Sequence, residues 1–480
     1  MTIDQIATVV HGTVLGAPDT TVTGPAFVDT RKAESHGLYV AVRGEHADGH
    51  DFAAAAIAAG AAAVLSERRL DVPGVAVADT VQALGLLAQH VVSRLTGPAV
   101  GSELGGPAVG SRLTGPAVIA ITGSQGKTSC KDIVAQLVQA AGPTVASVAS
   151  FNNEIGVPLT VLRADASTRF LVVEMGARGL GHIRDLTTMV HPGIGVVLNV
   201  GVAHLGEYGS REAIAQAKGE LVEALPSSGV AVLNADDTLV RSMRERTDAH
   251  VLFFGRAGDA DVRLADVRLD DSGHVCLVLS YQGSERQVTV PLVGEHQAGN
   301  VAAAVTASVA AGLDFETVCD SLAAISARSA WRMELATTTS GVTVINDAYN
   351  ANPDSVRAAL VTLADLAQRR GSRRTFAVLG EMRELGDTSA AEHEAAGRLV
   401  ASLGISQLVA VGEAGAGFHR GATADSSWDG DSVCVPDVSS TVEYLRREAR
   451  EGDLVLVKGS RAVGLEKVAL ALLDDVAVAR

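Results

Sequence analysis

Aromatic side chains are scarce: Phe, Trp and Tyr make up 3% of the 480 residues, although 47% of the chain is hydrophobic. Cores built without large rings must be filled by Ala, Val and Leu. That composition suits α/β layers, where small residues let helices lie close on a sheet. Cysteine is scarce too. Cys130, Cys276, Cys319 and Cys434 lie far apart with no CxxC spacing, which argues against a zinc cluster or a disulfide framework and for reduced thiols. Long Lys/Arg runs are missing, and the formal net charge of −16 would repel nucleic acid, so no nucleic-acid partner is expected. Nor is any charge-free apolar stretch long enough to span a bilayer, so no membrane insertion is expected. The start, MTIDQIATVVHG, has neither a basic n-region nor a sustained apolar h-region, and a soluble, cytoplasmic protein is expected.

The length predicts roughly two to four domains, and one boundary is visible. SRLTGPAVG, SELGGPAVG and SRLTGPAV follow one another from Ser93 to Val118. A unit this short lies far below the periods that build solenoids. It reads as a duplicated connector, turn-rich because every copy carries Gly and Pro. After it come PAVIAIT, RFLVVEM, GIGVVLNV, VAVLN and HVLFFG, apolar runs of strand length, with helical patterns such as TSCKDIVAQLVQAA and REAIAQAKGELVEAL between several of them. That alternation predicts βαβ units and a mainly parallel sheet. Between Asp261 and Val293 the period falls to two in VRLADVRL, HVCLVLSY and RQVTVPLV, joined by DDSG and QGSE, which predicts an antiparallel hairpin segment. Helices follow from about His296 to Ile325. A third α/β unit opens near Gly341 with GVTVIN, a helix capped by Asn352 with Pro353 at its first position, and strands TFAVLG, QLVAVG and DLVLVKG. The expected division is residues 1–92, a connector at 93–117, a central unit at 118–330 and a last unit at 331–480.

In an open parallel sheet, ligands gather beyond the carboxyl ends of the strands. The run TGSQGKT sits there, between strand PAVIAIT and a helix, so its backbone N–H groups and the helix N-terminus are placed to hold an anion. In that setting Lys127 reaches the β/γ-phosphates of a nucleotide and Thr128 holds Mg²⁺; an ordinary surface turn is the weaker alternative. Glu174 ends RFLVVE and His204 follows GIGVVLNV, at the same rim, where a carboxylate and an imidazole suit a divalent metal beside a triphosphate. A solvated His and a helix-capping Glu are the alternatives. Lys218 stands four residues after Ile214 and three before Leu221, on the apolar face of its helix and so pointing inward. A buried ammonium needs a partner or a shifted pKa. Its alternative is an amine that reaches water along the helix surface.

TGSQGKT, FNNEIGVPLTVL, VVEMGARGLGHI, NVGVAHLGEYGSREAIAQAKGE, GEHQAGNVAAA, DAYNANPDS, LGEMRELG and VLVKGSR, in this order, resemble the Mur ligases of peptidoglycan synthesis over nearly the whole chain from Val118 onward. Those enzymes have a short TG-x-x-GKT loop, so no glycine is expected at Ile121. VDTRKAESHGLYVAVRGEHADGHDF resembles the family's uridine-nucleotide domain more loosely, with Thr30 where Ser is common. The tandem insert is not part of the family pattern. NANPDS, LGEMRELG and KGSR resemble the members that add a dipeptide; their siblings tend to carry a His where Asn350 stands and to lack KGSR.

The resemblance implies an α/β fold in three domains: a small N-terminal α/β domain, a central P-loop ATPase-like domain with the hairpin segment, and a C-terminal Rossmann-like domain. It implies a monomer that joins UDP-N-acetylmuramoyl-tripeptide to D-alanyl-D-alanine through an acyl phosphate, using ATP and two Mg²⁺ ions. Gly123, Ser124, Gln125, Gly126, Lys127 and Thr128 would bind ATP, with Asn300 on the nucleotide, Arg332 on its phosphates and Asp347 on its ribose. Thr128, Glu174, His204 and Lys218 would serve the metal, Lys218 as a carbamate made with CO₂. Thr30 and Arg31 would meet the uridine nucleotide, and Asn152 and Asn153 the muramoyl substrate or the transferred phosphate. Asn350, Lys458, Ser460 and Arg461 would meet the substrates from the last domain, the final three receiving the dipeptide. For the two adjacent asparagines a plain turn is a serious alternative. Another amino-acid-adding Mur ligase and a folylpolyglutamate synthase stay open, as does a P-loop nucleotide switch, although the guanine-reading NKxD is missing.

Overall fold

A computed structural model describes residues 1–44, 47–96, 115–201 and 208–474. Three sheets follow one another along the chain. The first holds five short strands, β1 (Thr13–Leu15), β2 (Ala26–Phe27), β3 (Leu38–Val40), β4 (Ala63–Ser66) and β5 (Gly74–Ala76), in the order β1-β5-β4-β3-β2. A long helix, Thr80–Thr96, closes this unit. Its Ala83, Leu84 and Leu87 complete the first core, while Ala88 and Val92 pack into the next. The helix therefore runs into the expected connector rather than stopping before it. The first copy of the repeat opens with SRLT, which continues the helix as far as Thr96. Residues 97–114, most of the expected connector, lie outside the described residues.

The central sheet comprises β6 (Ala117–Thr122), β7 (Thr144–Ala146), β8 (Phe170–Glu174), β9 (Ile194–Val197), β10 (Val230–Asn234), β11 (His250–Gly255), β12 (Val262–Leu269), β13 (His274–Tyr281) and β14 (Ser284–Val293). Their order is β14-β13-β12-β11-β10-β9-β6-β8-β7. Every pairing from β7 to β12 is parallel, and β12–β13 and β13–β14 are antiparallel, as the change of period predicted. Both faces of β6 are covered, which is why its run is apolar without alternation. Ile119 and Ile121 face one core with Cys130, Val134 and Val301, whereas Val118 and Ala120 face the other with Val161, Ile183 and Leu221. The helix Gln297–Ala310 brings Ala302, Ala303, Ala304 and Ala307 to the first core, all fully buried. Methyl side chains fill the layer that large rings do not.

The last sheet has β15 (Glu334–Thr337), β16 (Thr343–Asn346), β17 (Thr375–Leu379), β18 (Gln407–Val411), β19 (Asp431–Val435) and β20 (Leu454–Lys458), ordered β15-β16-β20-β17-β18-β19 and parallel except at β15. The hairpin segment of the central unit docks on it. Val293 joins the core of the last unit with Leu360 and Leu363. Arg370 donates to the carbonyls of Asp271 and Ser272 at 3.1 and 3.2 Å. Among the described residues no helix is long and apolar enough to cross a membrane.

The helix Pro353–Arg370 starts as its sequence dictates: Ser355 N–H donates to Asn352 Oδ1 at 2.9 Å, Asn352 N–H donates back to Ser355 Oγ at 3.0 Å, and Pro353 fills the first turn. Asn352→Ala removes that reciprocal pair and should lower stability by about 1 kcal/mol. Urea denaturation followed by circular dichroism measures the loss; a midpoint equal to wild type would show that the cap contributes nothing.

Candidate active site

β6 lies where the chain reverses across the sheet, with β8 on one side and β9 on the other, so a crevice opens beyond its carboxyl end. The loop Gly123–Gly126 fills that position and the helix Lys127–Gln139 starts from it. Gly126 has φ +79°, and a Cβ there would lie 2.3 Å from Asn300 Oδ1, so glycine is required on two counts. Asn199, just past β9, braces the loop from the neighbouring strand. Its Oδ1 accepts from Gln125 N–H at 3.0 Å, its Nδ2 donates to the Gln125 carbonyl at 3.2 Å, and its own carbonyl accepts from Ser124 N–H at 3.1 Å.

Lys127 Nζ bends back onto the Gly123 carbonyl at 2.7 Å. Thr128 Oγ1 donates to Glu174 Oε2 at 2.8 Å, and Asn152 Nδ2 donates to Glu174 Oε1 at 2.7 Å. Glu174 is only 1% exposed. Lys218 is 5% exposed and opens onto the same cleft. Burial holds its amine well below the ordinary lysine range, and the nearby Lys127 charge adds to the shift. Burial lowers Lys127 as well, with Glu174 opposing and Arg332 adding.

The last unit supplies the opposite wall. Arg332 lies over the Tyr349 ring, 4.2 Å from its centroid, and the Tyr349 hydroxyl meets Ser150 of the central unit. Lys458, 2% exposed, places Nζ 2.5 Å from Asp347 Oδ2 and 3.0 Å from the Asn350 carbonyl. Burial pushes the His296 imidazole down, against the pull of Asp347 and with the push of Lys458. The walls enclose about 640 Å³, room for a nucleotide.

Models of three families match consecutive parts of this chain: "Mur ligase family, catalytic domain" over residues 27–91, "Mur ligase middle domain" over 121–308, and "Mur ligase, glutamate ligase domain" over 331–461. A Mycobacterium tuberculosis protein named UDP-N-acetylmuramoyl-tripeptide--D-alanyl-D-alanine ligase is 43% identical, over 99% of this chain and 98% of its own. The chain belongs to the Mur ligase family. A Bacillus subtilis Mur ligase of the same name is 32% identical over 99% of this chain and 98% of its own. The crystal structure of MurF from Acinetobacter baumannii superposes with a TM-score of 0.83 at 28% identity, covering 98% of both chains. MurF ligase from Thermotoga maritima, solved in complex with ADP, gives 0.77 at 26% identity, covering 96% of this chain and 99% of that one.

Of the residues expected at the Mur ligase site, Ser124, Gln125, Gly126, Lys127, Thr128, Asn152, Asn153, Glu174, Lys218, Asn300, Arg332, Asp347, Asn350 and Lys458 line one cleft. Gly123 lies behind it, accepting from Lys127. His204 falls outside the described residues. The expected metal set is thus described at Thr128, Glu174 and Lys218; a hydroxyl joined to a buried carboxylate beside a phosphate loop is hard-oxygen chemistry that fits Mg²⁺. Asn153 serves also as a turn, its Oδ1 accepting from Gly156 N–H at 2.9 Å.

Four expected residues lie elsewhere. Thr30 and Arg31 sit on a short turn of the first unit, where the Arg31 side chain, 87% exposed, pairs with Asp29 at 2.8 Å. Ser460 Oγ accepts from Arg383 N–H at 3.0 Å, and Arg461 pairs with Glu466 at 2.9 Å. Sequence reading missed Asn199, His296 and Tyr349. Asn199 carried a usable signal, since it follows GIGVVL at the same rim as Glu174.

Gly126→Ala adds a strained φ and a collision, together about 1–3 kcal/mol. Affinity for ADP should fall about tenfold or more, read by titration calorimetry. Unchanged affinity would mean that the nucleotide does not use this loop.

Proposed function

We propose that this chain is the ATP-dependent amide ligase that joins D-alanyl-D-alanine to UDP-N-acetylmuramoyl-tripeptide, in the cytoplasm, during peptidoglycan precursor synthesis. The observation that carries the reading is the shared cleft: Lys127, Thr128, Glu174 and Lys218 of the central unit face Arg332, Asp347 and Asn350 of the last. A phosphoryl-transfer site and a second substrate's wall belong together in an enzyme that must activate one substrate and present another. The names of full-length relatives supply the substrates. One chain provides both walls, so a monomer suffices.

The tripeptide's terminal carboxylate attacks the γ-phosphorus of ATP, ADP leaves, and an acyl phosphate forms. The dipeptide amine then attacks the acyl carbon, an amide forms, phosphate leaves, and the amine gives up a proton. The loop N–H groups and Lys127 hold the phosphoryl oxygens as charge redistributes. Arg332 adds positive charge from the opposite wall. Asn152 and Thr128 orient Glu174, and closure of the cleft keeps water from the acyl phosphate. Thr128, Glu174 and a carbamylated Lys218, with His204, would hold the two magnesium ions, which when bound neutralise phosphoryl charge. The lowered basicity of the buried Lys218 amine suits that modification: the lone pair of its unprotonated form adds to CO₂, a proton is lost, and the group beside Lys127 becomes an anion.

Purified protein with ATP, Mg²⁺ and UDP-N-acetylmuramoyl-tripeptide should release phosphate only when D-alanyl-D-alanine is added. Release without an amine would point to a nucleotide switch, and dependence on glutamate and a folate to a folylpolyglutamate synthase. Lys218→Ala should cut turnover by about 10²-fold or more, with partial rescue by short carboxylates, and ¹³CO₂ should label wild type but not the variant in NMR. Wild-type turnover in Lys218→Ala would remove the lysine from the mechanism.

A further inference from the structure

Arg332 reaches the cleft from an unusual piece of backbone. The residues on both sides of it, Trp331 at φ +60° and Met333 at φ +53°, occupy the left-handed region although neither is glycine. Bulky side chains adopt this conformation only when their surroundings enforce it. Among the described residues Arg332 Nε is buried with no hydrogen-bond partner, and its guanidinium lies over the Tyr349 ring.

Each strained residue is restrained. Met333 N–H donates to Asp347 Oδ1 at 3.2 Å, and the other oxygen of that carboxylate is fixed by Lys458. The Trp331 carbonyl accepts from Tyr349 N–H at 3.2 Å. The Trp331 ring lies under the Arg461 guanidinium, 4.2 Å from centroid to carbon. Arg461 is itself anchored by Glu466, which is 6% exposed. The two basic residues of KGSR thus reach the two neighbours of Arg332, one through Asp347 and one by stacking. Arg461 is not among the residues that line the cleft.

We propose that Arg461 is a positioning residue: by stacking on Trp331 it holds the left-handed turn that aims Arg332 at the nucleotide phosphates. The inference rests on the proposed ligase reading for its substrates but not for its nucleotide. A planar guanidinium is needed, because an ammonium cannot cover the indole face in the same way.

The test is a double-mutant cycle of Arg461→Ala with Arg332→Ala, read as kcat, the KM values for ATP and D-alanyl-D-alanine, and ADP affinity by calorimetry. Arg461→Ala should lower kcat/KM for ATP about tenfold, weaken ADP in parallel, and change the dipeptide KM less than about twofold. On an Arg332→Ala background it should add less than about twofold, since its effect passes through that residue. Arg461→Lys should resemble Arg461→Ala. Because Arg461 is half exposed, both variants should fold, and circular dichroism confirms it. A tenfold rise in dipeptide KM, or effects that multiply across the cycle, would make Arg461 a direct substrate contact and overturn the proposal; so would wild-type ADP affinity in Arg461→Ala. If wild type itself lacked amine-dependent turnover, the ligase reading would fail while the ADP arm still judged Arg461.

Discussion

Two lysine amines, Lys127 and Lys218, share one poorly solvated crevice at the end of β6. Burial disfavours charge on either, and each cation raises the cost of the other. Lys127 keeps a carbonyl partner and feels the Glu174 carboxylate, so it is the one placed to stay charged. Lys218 has burial and a like charge acting in the same direction. A buried amine whose charged form is disfavoured beside another cation gains from becoming an anion, and the chemistry proposed for Lys218 follows from that imbalance. The same imbalance makes the crevice receptive to a polyphosphate.

That crevice is only half of a site, and the fold dictates where the other half comes from. The antiparallel β12–β14 extension carries the central sheet outward until Val293 and the Asp271–Ser272 turn meet the helix Pro353–Arg370. The last unit is thereby docked with the carboxyl ends of β16 and β20, carrying Asp347 and Lys458, toward the phosphate loop. A second contact, Ser150 with Tyr349, closes over the mouth. On the other side, the helix Thr80–Thr96 belongs to two cores at once and fixes the first unit to the central one.

Sequence alone revealed the parts whose physics is local. The apolar runs of β6, β8, β9, β10 and β11 identify a buried parallel sheet, and the three-and-four spacing around Lys218 is enough to turn it inward. The first sheet was illegible strand by strand because its members are two to four residues long, too short for any period to show. β15 and β19 are edge strands of mixed polarity, so neither has the continuous run that marked their neighbours. Long-range pairing was beyond reach altogether. Lys458 and Asp347 are separated by 111 positions, and no local pattern says that one neutralises the other. The basic residues of KGSR were expected at a substrate, and the contacts that Lys458 and Arg461 make within the chain, with Asp347 and Trp331, could not be read from the sequence.

The short phosphate loop makes sense once the neighbouring strand is considered with it. A loop that begins at Gly123 leaves few residues to curve around an anion, and a free segment of that length would sample many shapes. Asn199 removes the freedom from outside, accepting from and donating to the backbone of Gln125 while its own carbonyl takes Ser124 N–H. Gly201 N–H then donates to Ser124 Oγ at 2.9 Å, so the β9 rim grips the loop at two successive residues. Asn300 closes the remaining side against Gly126. Preorganisation that a longer loop would achieve by its own turns is supplied here by side chains from two other elements, and Ile121, freed from the loop, remains a buried residue of β6.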